Sequence, residues 1–442
     1  MRYLDLLGPL AWDAFPERDL HRHSRNAPTP YAPFLAACLV KLDLQLPHMS
    51  QLRQYLIDHP PLLWLLGFPL SPSTPHALGF DPAASLPTHR HFTRMLRQAP
   101  DPALRFLLDS SVSLLASELA AHGLTLGDTV AIDTKHILAW VKENNPKTYV
   151  TDRFHKDKQP PGDPDCRLGC KRRHNQLAAA THSPATPKHN PVPADTVAVG
   201  EFYWGYASGI VAAKVNGFGE FVLAELTQPF DRADVSYFAP LLADVERRLA
   251  RPPRFGALDA AFDAFYIYEY FHAAGGFAAI PWADRPDHKK RFDDQDRPLC
   301  PAGLPMPLHS AFLKTSHCLV PHQCARYVCP LFCPLSKSAV VQPASQSLTC
   351  PIQHKNWAKG GCITTLPTSP GARIRHQLDR NSQAYKDLYR QRTATERINS
   401  QAVELGIERP KIRNGQAIAH LNTLTYVLIN LRALQRIRQS AA

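Results

Sequence analysis

The sequence predicts an α/β protein in which helices flank a mixed sheet, with an all-α N-terminal part and a cysteine-rich insertion. Three observations lead to this prediction. Residues 1–125 carry apolar residues at helical spacing, residues 126–284 alternate strand-like and helical segments, and seven of the ten cysteines fall between positions 300 and 362. We therefore expect four units along the chain, which are residues 1–125, 126–284, 285–375 and 376–442.

The N-terminal part, residues 1–125, is expected to be a string of helices. Segments 31–46 and 101–122 have the helical period, and a third helix is predicted over 89–98. Helical strings of this kind are common in DNA-binding domains and equally common in domains that bind nothing. We interpret the segment as DNA-binding, with Arg90 and Arg94 as phosphate contacts.

Residues 126–284 are expected to form the first part of the α/β core. Two β-rich runs flank Asn216-Gly217, a pair of residues typical of hairpin turns. Two shorter apolar runs, 129–133 and 255–259, each end in an aspartate. Helical segments follow the hairpin and the second apolar run, and a long helix is predicted over 382–405. This order describes a mixed sheet with helices on its faces.

The charge balance favours a polyanionic partner. Lys and Arg total 50 against 38 Asp and Glu, a formal net charge of +12. Residues 371–438 alone hold 13 basic and 5 acidic side chains. Nucleic acid is the simplest partner for such a chain, although many basic enzymes bind none.

Nothing in the sequence suggests a membrane or a secretion route. No run approaches the roughly 20 apolar residues of a membrane-spanning helix. The first 20 residues lack a basic start followed by an apolar stretch. We therefore expect a cytoplasmic, nucleoid-associated protein whose cysteines are free or metal-bound.

The cysteines of the insertion, residues 285–375, suggest a structural zinc site. A short proline-rich segment has little core of its own, and zinc binding can supply the missing folding energy. The alternative is a set of unligated thiols in a reducing compartment. The possible zinc ligands, of which four would be needed, are Cys300, Cys329, Cys333, Cys350 and Cys362.

Three carboxylates are candidates for a catalytic metal site. Asp133 and Asp259 each end a strand-like run, so they would emerge at one edge if the strands lie side by side. Glu396 lies on a helical segment that can pack beside that edge. Carboxylate oxygens suit Mg²⁺ or Mn²⁺, and two such ions support phosphodiester chemistry. An isolated aspartate at a strand end is more often a turn or cap residue, so the arrangement carries the interpretation.

The segment around Glu396 carries a further pattern. Tyr389, Arg392 and Glu396 fall at positions i, i+3 and i+7, which share one face of a helix. Tyrosine and arginine beside a metal-binding glutamate can contact a scissile phosphate. An ordinary amphipathic helix with an ion-paired face explains the spacing equally well.

Together these residues resemble insertion-sequence DDE transposases, which have an RNase H-like catalytic core. The blocks that carry the resemblance are AIDTKHI (131–137), FGALDAAFDAF (255–265) and YRQRTATERINSQ (389–401). The family's helix signature is Tyr, two residues, Arg, three residues, Glu, six residues, Lys; here Val403 occupies the lysine position. Asp259 matches the second family aspartate, and Asp263 is the reserve candidate.

The resemblance implies an activity and a set of partners. The enzyme would bind terminal inverted repeats, pair two ends as a homodimer, cleave double-stranded DNA and join the 3′-hydroxyl to target DNA. Asp133, Asp259 and Glu396 would hold Mg²⁺ or Mn²⁺, while Arg397 would join the phosphate contacts. Two alternatives remain open: a catalytically inactive, element-derived DNA-binding protein, and a metal-dependent nuclease without strand transfer.

Overall fold

The structure is a computed structural model of the chain. It describes residues 2–19, 30–170, 202–283, 289–331, 350–352, 354 and 361–441. These residues form a mixed α/β fold in which helices flank a mixed sheet, as the sequence predicts. A second, smaller antiparallel sheet lies within the insertion.

The N-terminal part is mainly helical. Its elements are α1 (Arg2–Leu7), α2 (Tyr31–Asp43), α3 (Met49–Asp58), α4 (Pro61–Leu65), β1 (Ser71–Pro72), β2 (Phe80–Asp81), α5 (Pro82–Ser85), α6 (His89–Gln98) and α7 (Asp101–Ala121). The strands β1 and β2 form a two-residue antiparallel ladder, so the prediction of a purely helical part is wrong at this point. The Asp81 side chain accepts a hydrogen bond from the Ala83 N–H at 2.8 Å and thereby caps α5.

The central sheet contains six strands in the described part of the chain. They are β3 (Thr129–Leu138), β4 (Arg167–Cys170), β5 (Phe202–Val215), β6 (Gly219–Pro229), β7 (Phe255–Leu258) and β8 (Phe277–Ala279). The first half is antiparallel, because β5 pairs with β3, β4 and β6. The second half is parallel, with β7 between β3 and β8. The predicted hairpin is present, and Gly217 takes a positive φ of 83° in its turn.

Helices cover the sheet and join it to the N-terminal part. They are α8 (Phe238–Leu249), α9 (Phe265–Ala273), α10 (Pro370–Gln377), α11 (Gln383–Arg390), α12 (Thr393–Glu404) and α13 (Gly415–Ala441). The last of these, α13, contacts α1, α2, α6, α7 and β6. The N-terminal helices therefore share one continuous apolar core with the sheet.

The insertion has its own small sheet. Its strands are β9 (Leu308–Lys314), β10 (His322–Val328) and β11 (Ile363–Pro367), all antiparallel. Helix α10 follows directly and packs closely on α9. A Cβ atom at Gly371 would lie 2.0 Å from the carbonyl oxygen of Phe265, so this contact requires glycine.

A buried amide connects α13 to the sheet. The Asn430 side chain accepts a hydrogen bond from the Val222 N–H at 2.9 Å and donates one to the Val222 carbonyl at 2.8 Å. It also donates to the Ser111 hydroxyl of α7 at 3.1 Å. All three residues are buried away from water. The Asn430 amide therefore supplies the hydrogen bonds that the N–H and carbonyl of Val222 in β6 require.

Replacing Asn430 by alanine should destabilise the protein, because it leaves both Val222 backbone groups without partners. Each unsatisfied buried group costs about 1–3 kcal/mol. We expect the free energy of unfolding to fall by about 2–4 kcal/mol in urea denaturation. Gln439→Ala, an exposed change on the same helix, should shift it by less than about 0.5 kcal/mol. Equal effects of the two changes would contradict this role.

Candidate active site

The two candidate aspartates lie next to each other on neighbouring parallel strands, Asp259 directly after β7 and Asp133 within β3. Ile132 of β3 pairs with Leu258 of β7, and each is followed at once by an aspartate, Asp133 or Asp259. The parallel register therefore places the two residues side by side where the ladder between β3 and β7 ends. The prediction that Asp133 ends its own strand is wrong, because β3 continues to Leu138 in its ladder with β5. Each side chain is partly buried, with apolar residues before it in the strand.

The environment of Asp133 disfavours its charge. Burial raises the pKa of its carboxyl to about 6, and the neighbouring charge of Asp259 adds to the rise. The Thr134 N–H donates to Asp133 Oδ1 at 2.9 Å and works in the opposite direction, as does Arg392. A nearby bound cation would favour the charged form and so promote loss of the Asp133 proton.

Asp259 is held by the turn that follows β7. Its side chain accepts a hydrogen bond from the Ala261 N–H at 2.9 Å and so caps the short helical turn Ala260–Phe262. Burial again raises the pKa of this carboxyl, and the charge of Asp234 raises it further. Arg392 opposes the rise here as well. Asp259 therefore caps a turn, as an aspartate that follows a strand commonly does. It also lies close to other acids.

Asp234 is a third acid beside this aspartate pair that the sequence did not single out. It begins the helical turn Asp234–Tyr237 ahead of α8, and its Oδ1 accepts a hydrogen bond from the Thr134 hydroxyl at 2.8 Å. Its charge raises the pKa of both Asp133 and Asp259. An acid in the first turn of a helical segment is common, so no sequence signal distinguishes it.

The reserve candidate Asp263 has a structural role. Its two oxygens accept hydrogen bonds from Arg375 at 2.8 and 2.6 Å, and the Tyr268 hydroxyl donates at 2.8 Å. Burial would raise the pKa of this carboxyl, but Arg375 holds it below its usual value. Because its oxygens are occupied in fixing α10 to the core, Asp259 is the better candidate of the two.

The Tyr389, Arg392 and Glu396 side chains form one contiguous group. The Arg392 guanidinium contacts the Glu396 carboxylate and lies 6.0 Å from the centre of the Tyr389 ring. Burial disfavours the charge of Arg392, but Glu396, Asp133 and Asp259 raise its pKa above the usual value. Arg392 therefore stands between the exposed Glu396 and the aspartate pair.

The prediction of one continuous helix over 382–405 is wrong. Helix α11 ends at Arg390 and α12 begins at Thr393. At the break, two threonine hydroxyls donate hydrogen bonds to backbone carbonyl oxygens. Thr393 donates to Arg390 O at 2.9 Å and Thr395 donates to Arg392 O at 2.8 Å. Such bonds compete with the helical ladder. The signature residues therefore converge across a break between helices.

Asn399 is a site residue that the sequence analysis missed. It lies on α12, three residues after Glu396, and its Nδ2 donates to Asp133 Oδ2 at 3.3 Å. Its Oδ1 is buried and has no hydrogen-bond partner among the described residues. The spacing of three residues from Glu396 is the signal that could have found it. An unsatisfied buried oxygen beside two carboxylates fits a site built to receive a cation or a donor.

The candidate metal site is only partly assembled. Asp133 and Asp259 supply the oxygen ligands that hard divalent cations prefer. Glu396 pairs instead with Arg392, and its side chain is 51% exposed. Within the described residues, no three His, Cys, Asp or Glu side chains already stand in positions that could hold a metal ion. The donor set fits such a cation, provided that Glu396 turns away from Arg392.

The remaining predicted DNA contacts occupy the surface. Arg90 and Arg94 are exposed on α6, where Arg94 contacts His91. Arg397 is paired with Glu220 of β6 at 2.6 Å, so its charge is partly compensated. Val403, at the family's lysine position, is 38% exposed.

A basic groove lies at the C-terminal end of β3, the strand that carries Asp133. Its volume is about 500 Å³. Trp140, 42% exposed, lies beneath Arg413 and Lys411, which are 5.1 and 5.8 Å from the ring centre. The other basic residues that line it are Lys142, Lys147 and Arg409. The groove begins at Leu138, about 16 Å along the strand from Asp133 at 3.3 Å per residue.

The candidate zinc ligands divide into two groups. Cys300, Cys329, Cys350 and Cys362 line one small cavity in the insertion. The fifth, Cys333, lies outside the described residues. The eight cysteines whose side chains the structure describes form no disulfide.

Comparison with known proteins adds no assignment. No protein-family model matches the chain. No curated protein matches its sequence. Among the helices that the structure describes, none has the length and apolar character to cross a membrane.

The raised pKa of Asp133 predicts how stability depends on pH in Mg²⁺-free buffer. The folded protein binds this proton more tightly than the unfolded chain, so the stabilising contribution is complete below about pH 4 and is lost as the pH rises through about 6. At about 1.4 kcal/mol per pKa unit, the upper limit for the loss is about 3 kcal/mol. Asp133→Asn should flatten this part of the profile in chemical denaturation. Asp294→Asn, an exposed change, should keep the wild-type slope; a wild-type slope in Asp133→Asn would contradict the assignment.

Proposed function

We propose that this protein is a DDE-type DNA transposase that cleaves DNA and joins the freed 3′-hydroxyl to target DNA. The observation that carries the proposal is the pair formed by Asp133 of β3 and Asp259, which follows β7, at the end of the parallel ladder between these strands. Helix α12, which bears Glu396, packs against β3, β5 and β6 and so lies beside that pair. The sheet, antiparallel over β3, β5 and β6 and parallel over β7 and β8, supports an RNase H-like assignment.

Asp133 and Asp259 would hold the divalent cation, with Glu396 completing the set after it leaves Arg392. Bound there, Mg²⁺ or Mn²⁺ would activate a water or 3′-hydroxyl and stabilise charge on the leaving oxygen. The pKa values of both aspartates are raised, so cation binding would displace protons from this pocket.

The protein's own cations would position the DNA. Arg392 released from Glu396 presents a planar guanidinium fork to a phosphate, and the Tyr389 hydroxyl can donate to the same group. Further along β3, the groove of Trp140, Lys411 and Arg413 offers positive charge to the backbone. We further propose that the N-terminal helices, including Arg90 and Arg94 of α6, bind terminal inverted repeats and that two copies pair the ends.

The test is a strand-transfer assay with Mg²⁺ and DNA carrying the ends that flank the gene. Wild-type protein should cleave at the end and join it to a target plasmid. Asp133→Asn and Asp259→Asn should each lower the rate by at least about 10³-fold, because each removes a charged cation ligand. Asp294→Asn, which neutralises an exposed carboxylate elsewhere, should retain the wild-type rate.

The outcomes separate the alternatives. Binding of the end DNA without cleavage would favour an element-derived DNA-binding protein. Cleavage without joining would favour a metal-dependent nuclease. Full activity in Asp259→Asn would contradict the site assignment, whichever of these functions the protein has.

A further inference from the structure

The insertion brings four cysteines around one small cavity. They come from separate stretches of the chain, being Cys300, Cys329, Cys350 and Cys362. Three of them are buried and Cys350 is partly buried. The cavity has a volume of about 10 Å³, which is room for roughly one water-sized particle.

The local backbone holds these cysteines at turns and strand ends. Val328 of β10 pairs with Ile363 of β11, so Cys329 and Cys362 stand opposite each other one step beyond the ladder. Cys300 opens a tight turn in which the Gly303 N–H donates to the Cys300 carbonyl at 2.9 Å, with Gly303 at a positive φ of 81°. Sulfur-bearing side chains at a tight turn and at paired strand ends suit tetrahedral coordination.

Cys350 adds a backbone contact to sulfur. The His354 N–H donates to Cys350 Sγ at 3.5 Å. Hydrogen bonds of this kind stabilise a sulfur atom that carries negative charge, and outer contacts of metal ligands have this role. It supports Cys350 as a thiolate ligand of the same cavity.

The insertion has little apolar core to maintain its fold. Its described cluster of buried residues contains only Cys300, Met306, Ala325, Tyr327 and Cys362. Two of these five are themselves cavity cysteines. A segment with so small a core commonly depends on a metal or on disulfides, and the described cysteines are free.

We propose that the insertion binds one structural zinc ion through the thiolates of Cys300, Cys329, Cys350 and Cys362. Four thiols would release their protons to solvent as the four Zn–S bonds form, with no change of oxidation state. The described side chains do not already form a closed metal-binding group. Cysteine side chains turn between staggered positions about the Cα–Cβ bond, so binding draws the sulfur atoms inward.

The proposal is independent of DNA cleavage and is tested on the full chain by elemental analysis. Protein purified without chelator should carry about one zinc per chain. Cys362→Ser and Cys329→Ser should each lower the bound zinc by at least about fivefold. Cys324→Ser is the matched control, because Cys324 is buried in the same small sheet but does not line the cavity. This variant should retain the full zinc content.

A second measurement covers the case in which a cavity variant fails to fold. Replacement of zinc by Co²⁺ in the wild-type chain should give strong thiolate-to-cobalt absorption and the visible bands of tetrahedral coordination. Wild-type protein that contains no zinc, that contains iron, or that has a Cys329–Cys362 disulfide would overturn the proposal. Cavity variants that retain the full zinc content would overturn the ligand assignment.

Discussion

The candidate active site depends on one electrostatic constraint, the placement of two carboxylates side by side where the parallel ladder between β3 and β7 ends. Because Ile132 pairs with Leu258, the register of β3 with β7 places Asp133 next to Asp259. Partial burial and mutual repulsion raise the pKa of Asp133 to about 6. Arg392 offsets part of that repulsion while it is paired with Glu396. Two like charges this close together favour the binding of a cation or a proton between them.

The rest of the chain holds this arrangement in place. Helix α13 lies between the N-terminal helices and β6, and its Asn430 satisfies backbone groups of that strand. Elsewhere in the core, Arg375 of α10 binds Asp263, which lies four residues after Asp259. The insertion is joined to the same helix, since Arg373 donates to the Tyr327 hydroxyl of β10 at 2.9 Å. Zinc binding in the insertion would thus support the helix whose Arg375 binds Asp263.

The sequence predicted those features that local chemistry determines. Apolar runs ending in aspartate predicted β7 and the first half of β3, and Asn216-Gly217 predicted the hairpin. The second half of β3 was missed, because Thr134, Lys135 and His136 interrupt the apolar pattern. Periodicity alone could not reveal the break between α11 and α12, because it arises from threonine hydroxyls that bind nearby carbonyls. Asp234 and the Asn399 contact with Asp133 were also missed, since both depend on tertiary packing between distant segments. The reserve aspartate, Asp263, could be set aside only once its contact with Arg375 was visible.

The central claim is that Asp133 and Asp259 form a site for a divalent cation. It is tested most directly by counting bound Mn²⁺ per chain, from the electron paramagnetic resonance signal of free Mn²⁺. We expect at least one Mn²⁺ per wild-type chain, with affinity at least about tenfold lower in Asp259→Asn and unchanged in Asp294→Asn. Equal Mn²⁺ binding by the wild-type chain and Asp259→Asn would contradict it.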